Sequence, residues 1–440
     1  MTRFLTLCLS LFIFSFKADA FIKVQEITSP GGIKAWYTYD STSPIISMSF
    51  SFAGGSSVDP KGKSGTAEML SSMLMQGAGP MDKKALVAKM QDLAIGIDFN
   101  AGLDFFSGTL QTIHGNREES FQLLGLILTQ PNLSLQALEH VRRLLLTHLS
   151  NIKKDPKALA QRSLSKALFP EHVYGRPTYG NEASVRSLKQ KDIKSYLQKY
   201  LVKSDLIIGI TGKISVTEAG RLLDMAFGKL PQGKPVTSVA NTKPQNWKEP
   251  ILVEQDIPQS TIVFAQKGWR YGHKNFVAAD LLLYILGGGM TSRLMEEIRI
   301  KKGYAYYVGS WMNPRVHSGL VAGNLGTSHL QTGEAIDLLK SEWRRLQEHG
   351  VTQKEFENAK KYLINSFPLR FQSSAAVARY LKVYQIYQFD VNYFQKRQEI
   401  IENITLNELN ELAKMLLKPD QLGIVVVGRP FGKEGKVSQE

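Results

Sequence analysis

The sequence holds one cysteine in 440 residues, Cys8, and it stands inside an apolar N-terminal run, Phe4 to Phe16. Arg3 precedes that run and Ala18-Asp19-Ala20 follows it. A positive start, a short apolar stretch and an A-x-A site describe a cleavable secretory signal. The run is shorter than the roughly 20 apolar residues that span a bilayer, and Cys8 lies too early in it to be a lipid-attachment cysteine. Residues 1–20 are therefore expected to be removed, and the only thiol with them. A mature chain of this kind has no disulfide, no cysteine nucleophile and no cysteine zinc site. Export without disulfides fits a bacterial periplasm. No integral membrane segment is expected after signal cleavage.

Other absences narrow the function further. No block of five or more like charges occurs, although Lys and Arg outnumber Asp and Glu by 54 to 39, for a net charge of +15. Removing residues 1–20 leaves 52 − 38 = +14. Dispersed basic charge without interleaved aromatics argues against a nucleic-acid partner and leaves an anionic surface or acidic partner open. The glycine run Gly287-Gly288-Gly289 lacks the G-K-[ST] ending of a phosphate loop.

Two α+β domains and a linker emerge from the periodicities. Gly32 to Tyr39 reads as a strand. From Pro44 to Phe52, Ile46, Met48, Phe50 and Phe52 alternate with Ser47, Ser49 and Ser51, the pattern of a strand with one buried face. A Gly-Ser turn then leads to a helix over 65–76. A second helix is expected over 83–93, paired strand over 98–112, and long helices over 117–128 and 134–152. Residues 230–250, rich in Pro, Gly and polar side chains, read as an interdomain linker. The segment DIKSYLQKYLVKSDLIIGITG, 192–212, reappears without a gap as ELNELAKMLLKPDQLGIVVVG, 408–428, at an offset of 408 − 192 = 216. Strand and helix signals also recur at 261–265 and 275–286. The expected organisation is a signal peptide at 1–20, homologous domains at 21–230 and 251–432 separated by 231–250, and a tail at 433–440. Each domain should be a mostly antiparallel sheet with helices packed on it.

The stretch Gly65-Thr66-Ala67-Glu68-Met69-Leu70-Ser71-Ser72 follows a strand and the turn ending in Asp59-Pro60. This setting resembles the pitrilysin/insulinase/mitochondrial processing peptidase family of zinc peptidases. There the helix carries H-x-x-E-H, with both imidazoles on zinc and the glutamate as general base. Here Glu68, Ser71 and Ser72 occupy the three places. A third ligand from a later helix would fall near Thr147 or His148. Glu68 and His148 alone are too few for a catalytic zinc, which takes three protein ligands. No metal site or cofactor is therefore expected in this chain.

A second constellation, Gly287 to Leu294 followed by Glu297 to Ser310, resembles the family's L-G-x-x-x-S-R-L and L-R-x-x-x-G-x-A-Y. The resemblance makes Arg299 and Tyr306 the counterparts of an Arg/Tyr pair that faces the active site. A guanidinium and a phenol aimed at a developing oxyanion stabilise it. Asn100-Ala101 matches the start of a peptide-binding edge strand, and His172-Val173-Tyr174-Gly175-Arg176-Pro177 matches a loop in which His172 is expected to be structural. The resemblance spans nearly all of 24–430. It implies the non-zinc subunit of a heterodimeric periplasmic zinc peptidase acting on short unfolded peptides. The partner would carry H-x-x-E-H and zinc. The alternative is a catalytically inactive peptide-binding or scaffold member.

Overall fold

The computed structural model describes residues 22–429 and the two-residue strand Lys436–Val437. The expected signal segment and most of the tail lie outside the described residues. The chain is α+β, built on two six-stranded sheets. The first contains β1 (Gln25–Thr28), β2 (Lys34–Tyr39), β3 (Ile45–Ala53), β4 (Gly96–Ala101), β5 (Phe105–Ile113) and β6 (Leu206–Gly212), in the order β1-β2-β6-β3-β5-β4. The second contains β7 (Ile251–Glu254), β8 (Ser260–Lys267), β9 (Tyr307–Pro314), β10 (Gly319–Thr327) and β11 (Gly423–Gly428), in the order β9-β10-β8-β11-β7 with Lys436–Val437 outermost. Reading the first sheet from β4 gives the same path. In each, a long central strand lies antiparallel to both neighbours, and the last strand of the half pairs in parallel with the first long one or its counterpart.

Eight helices matter for the argument. They are α1 (Thr66–Met73), α2 (Leu135–Ile152), α3 (Pro156–Leu168), α4 (Gln190–Tyr200), α5 (Phe276–Gly287), α6 (Gln353–Asn365), α7 (Ser374–Ile386) and α8 (Leu406–Leu416). The repeat read from the sequence holds in three dimensions: α4 and α8 begin 406 − 190 = 216 residues apart and end 416 − 200 = 216 apart. Asp192 and Glu408, at matching places, each accept the N–H of the residue before the helix, Lys189 and Thr405. The strands that follow both end on a glycine with positive φ, +154° at Gly212 and +142° at Gly428, a backbone that glycine adopts without steric cost. The earlier helices repeat as well, at 353 − 135 = 218 for α2 and α6 and 374 − 156 = 218 for α3 and α7.

The last pair is exchanged between the halves. Helix α3, from the first half, packs on β8 and β11 of the second sheet, where Ala160 and Leu164 meet Val263, Ala265, Val425 and Val427. Helix α7, from the second half, packs on β3 and β6 of the first. Each sheet is thus covered on both faces, once by its own helices and once by the other half's helix.

This exchange corrects the expectation for β3. The apolar residues Ile46, Met48, Phe50 and Phe52 do face the core. The serines on the other side are buried too, at 1%, 2% and 0% exposure for Ser47, Ser49 and Ser51. Ser47 and Ser374 of α7 join their hydroxyls at 2.9 Å, and Gln385 Nε2 donates to the Ile208 carbonyl at 2.7 Å. The serines are small because a helix lies close against them. Gly209 on β6 makes the same point: a Cβ there would meet the Ala378 carbonyl oxygen at 2.3 Å.

The stretch 230–250 carries no helix or strand, yet it is strapped down at intervals. Pro231 accepts from Lys203 N, Val236 N donates to Asp205, Thr242 N to the His317 carbonyl and Gln245 N to the Leu168 carbonyl. Trp247 packs beside β11 and donates its indole N–H to the Ile424 carbonyl.

Candidate functional site

Helix α1 is held at its start by Asp59. Its carboxylate accepts the N–H groups of Gly65 at 2.7 Å, Thr66 at 3.2 Å and Ala67 at 3.0 Å, satisfying donors that a helix N-terminus leaves free. Burial pushes this carboxyl up to about 7, against the pull of those three bonds and of Arg176. The apolar side of α1, with Ala67, Met69, Leu70 and Met73, is fully buried in the first core.

On this helix, Glu68 is half-buried, and its Oε2 is buried without a hydrogen-bond partner. Burial raises its carboxyl to about 6. Its negative charge in turn raises the phenol of Tyr179, after the effect of that phenol's own burial. Tyr179 meets the His148 ring edge-on at 5.0 Å. Glu68, Tyr179 and His148 thus form one small cluster. Ser71 does not join it as a ligand, because its hydroxyl donates to the Glu68 carbonyl at 2.8 Å. The Ser72 carbonyl accepts from Gln76. One carboxylate with two hydroxyls does not fit zinc, which takes thiolate, imidazole or carboxylate ligands in sets of three or four. Among the described residues no three His, Cys, Asp or Glu side chains are grouped to hold a metal.

The second constellation sits beyond α5. Met295–Lys301 forms a π-helical turn, Gly303 follows with φ +65°, and β9 starts at Tyr307. Arg299 is exposed on that turn, and its guanidinium touches the Met295 sulfur at 3.7 Å. Tyr306 is 53% exposed, and its backbone N–H is fixed by the Gly326 carbonyl. Arg299 and Tyr306 therefore stand at a helix end and just before a strand. Neither side chain is committed to an ion pair or hydrogen bond with O or N among the described residues. Arg293, by contrast, is buried and structural. It grips Glu355 at the start of α6 with two bonds, 2.6 and 2.8 Å, and donates to the Gly350 carbonyl. Burial would raise the Glu355 carboxyl, but Arg293 and Thr352 more than offset it and hold it at about 2.

Asn100 and Ala101 lie on β4, the edge of the first sheet; Asn100 is exposed and Ala101 is buried at 3%. Helix α1 packs against the same strand, so the edge runs beside the Glu68 cluster. The loop at 172–177 joins the two halves. Tyr174 donates its hydroxyl to Asp104 at 2.7 Å and accepts the His317 N–H at 2.9 Å, and Asp104 also accepts Val316 N. Arg315 lies over the Phe169 and Tyr174 rings at 5.1 and 5.0 Å. His172 bonds the Ala240 carbonyl and the Tyr174 N–H, so both ring nitrogens are used. Neither Tyr179 beside Glu68 nor Glu355 beneath Arg293 was legible in the sequence. Both contacts join residues distant in sequence and carry no local periodicity.

Residues 187–363 match the family described as "Peptidase M16 inactive domain". A curated relative from Helicobacter pylori, named "Non-peptidase homolog YmxG", is 26% identical over 97% of this chain and 98% of its own. A solved structure described as peptidase M16 inactive domain from Pseudomonas fluorescens covers 94% of this chain and 100% of its own, with a TM-score of 0.87 at 24% identity. A protease from Helicobacter pylori covers 93% of this chain and 100% of its own, with a TM-score of 0.83 at 18% identity. Residues 187–363 thus carry the likeness to that family, and over nearly the whole chain the fold is that of the solved M16 structures.

Proposed function

We propose that this chain is the non-zinc subunit of a heterodimeric periplasmic peptidase, paired with a homologous subunit that bears H-x-x-E-H and the zinc. The carrying observation is the contrast between the two constellations. The zinc-motif positions hold one carboxylate and two serines, while Arg299 and Tyr306 are exposed and their side chains make no ion pair or hydrogen bond to O or N among the described residues. A guanidinium and a phenol left free at a surface are placed to meet charge supplied from outside the chain. In the pair, they stabilise the oxyanion that forms as a peptide carbonyl is attacked. The open edge β4, with Asn100 and Ala101, takes an extended segment of the peptide by adding it as a strand. Short unfolded peptides suit that mode because their backbone is free to pair.

A second reading, a peptide-binding scaffold with no part in catalysis, draws on the Helicobacter pylori relative's name. The two are separated by mixing this chain with an H-x-x-E-H homologue from the same source and weighing the product by light scattering. A one-to-one complex supports the subunit reading. Two non-interacting species, with this chain a stable homodimer, reject it.

A further inference from the structure

The cleft where the interdomain strap crosses the second sheet has no role in the reading above. Its volume is about 790 Å³. One wall is Asn241 to Pro244 of the strap, another is Lys267 to His273 between β8 and α5, and the floor is His317 to Gly319. Lys243, Lys267, Arg270, His273 and His317 line it, and no carboxylate does. Asp104, whose charge acts on His317, is occupied by Tyr174 and Val316 N.

The cleft is built by ordered contacts. Thr242 N donates to the His317 carbonyl, Gly268 N to the Gly319 carbonyl and Tyr271 N to the Arg315 carbonyl. Trp269 and His273 stack at 3.9 Å with their planes 13° apart. His273 Nδ1 accepts the Asn275 N–H, which puts the proton of the neutral ring on Nε2 as a donor. With these backbone donors already used, the positive character is carried by side chains on three separate segments. Phosphate sites draw on clustered backbone N–H groups. Lys and Arg pair with carboxylate and phosphate alike, but cations spread over three segments match a ligand whose charges are separated, as several carboxylates are, better than one compact phosphate.

We infer that this cleft binds oligocarboxylate ligands, the chemistry shared by an Asp/Glu-rich peptide segment and a small tricarboxylate. Binding needs neither the partner subunit nor hydrolysis, so it stands or falls apart from the subunit reading. The imidazoles add a pH signature. Burial lowers both, with Lys274 acting further on His273, and with His172 and Arg270 acting on His317 against the pull of Asp104. A bound anion favours their charged forms, so binding takes up protons and tightens as pH falls.

The test uses the whole chain and a fluorescently labelled octapeptide of alternating Glu and Asp, with citrate and inorganic phosphate as competitors, followed by anisotropy. Lys267 and Arg270 are exposed, and K267Q/R270Q is expected to weaken peptide binding about tenfold. K83Q/K84Q, an equal charge change on another face, should leave it unchanged. Affinity should rise from pH 7.5 to pH 5.5. Competition by citrate assigns the site to carboxylates in general, and its absence assigns it to the peptide; either supports the inference. Equal losses in the two double variants, no loss in K267Q/R270Q, or phosphate competing better than citrate would overturn it.

Discussion

Replacing Glu68 by glutamine isolates the cost of an ionised carboxyl held on α1 without a partner. The carboxyl is moved from 4.5 to about 6 by burial. A difference of that size corresponds to about 2 kcal/mol for a fully buried group, and partial exposure reduces the expectation to about 1 kcal/mol. The folded state holds this proton more tightly than the unfolded chain. Between 4.5 and about 6 the folded chain therefore binds more protons, and stability falls as pH rises through that window. Above it the cost is fully present, and below 4.5 it is absent. Glutamine is neutral throughout. Urea unfolding of Glu68→Gln should thus show a gain of about 1 kcal/mol at pH 7.5 and none at pH 4. A loss of about 1 kcal/mol or more at pH 7.5 would refute the argument, because it would mean that the carboxylate is paired in solution, with a bound cation for instance.

Other substitutions read out other parts of the structure. Gly209→Val drives a side chain into the Ala378 carbonyl, and should cost at least about 2 kcal/mol by chemical denaturation. Arg293→Ala leaves Glu355 without its guanidinium and should cost about 3 kcal/mol at pH 7. Because the pair holds that carboxyl at about 2, its contribution is present above 4.5 and is lost as pH falls from there towards 2, so wild type and variant should converge in acid. Tyr174→Phe removes the hydroxyl shared by Asp104 and the His317 N–H, and should cost about 1–3 kcal/mol and speed proteolysis of the strap. Arg299→Ala should leave the unfolding midpoint unchanged, since that side chain is exposed and makes no ion pair.

The fold was legible in the sequence wherever local rules decide it. The repeat of helix, polar break and glycine-ended strand at 192–212 and 408–428 has a period fixed by side-chain order alone, and the structure keeps it at both ends of α4 and α8. The π-helical turn was half legible: Gly303 marked its end, but nothing in the sequence marked the wider turn itself. The alternation in β3 misled because it encodes polarity and not size. Ser47, Ser49 and Ser51 are polar, yet they are chosen small for a helix that enters from more than 300 residues away. Glu68 was singled out in the sequence, with Ser71 and Ser72, by resemblance to a zinc-binding helix. The neighbour that completes its cluster, Tyr179, reaches α1 through a loop whose path only tertiary packing sets.

The role proposed for Arg299 and Tyr306 requires that this chain lend chemistry to a zinc-bearing partner. Its most direct test is steady-state hydrolysis of a short unstructured peptide by the reconstituted pair, with wild-type chain against Arg299→Ala and Tyr306→Phe. This chain alone should show no turnover, the pair should turn over, and each variant should lower kcat about 100-fold with complex formation unchanged. Full turnover with both variants, or by the partner without this chain, contradicts that role.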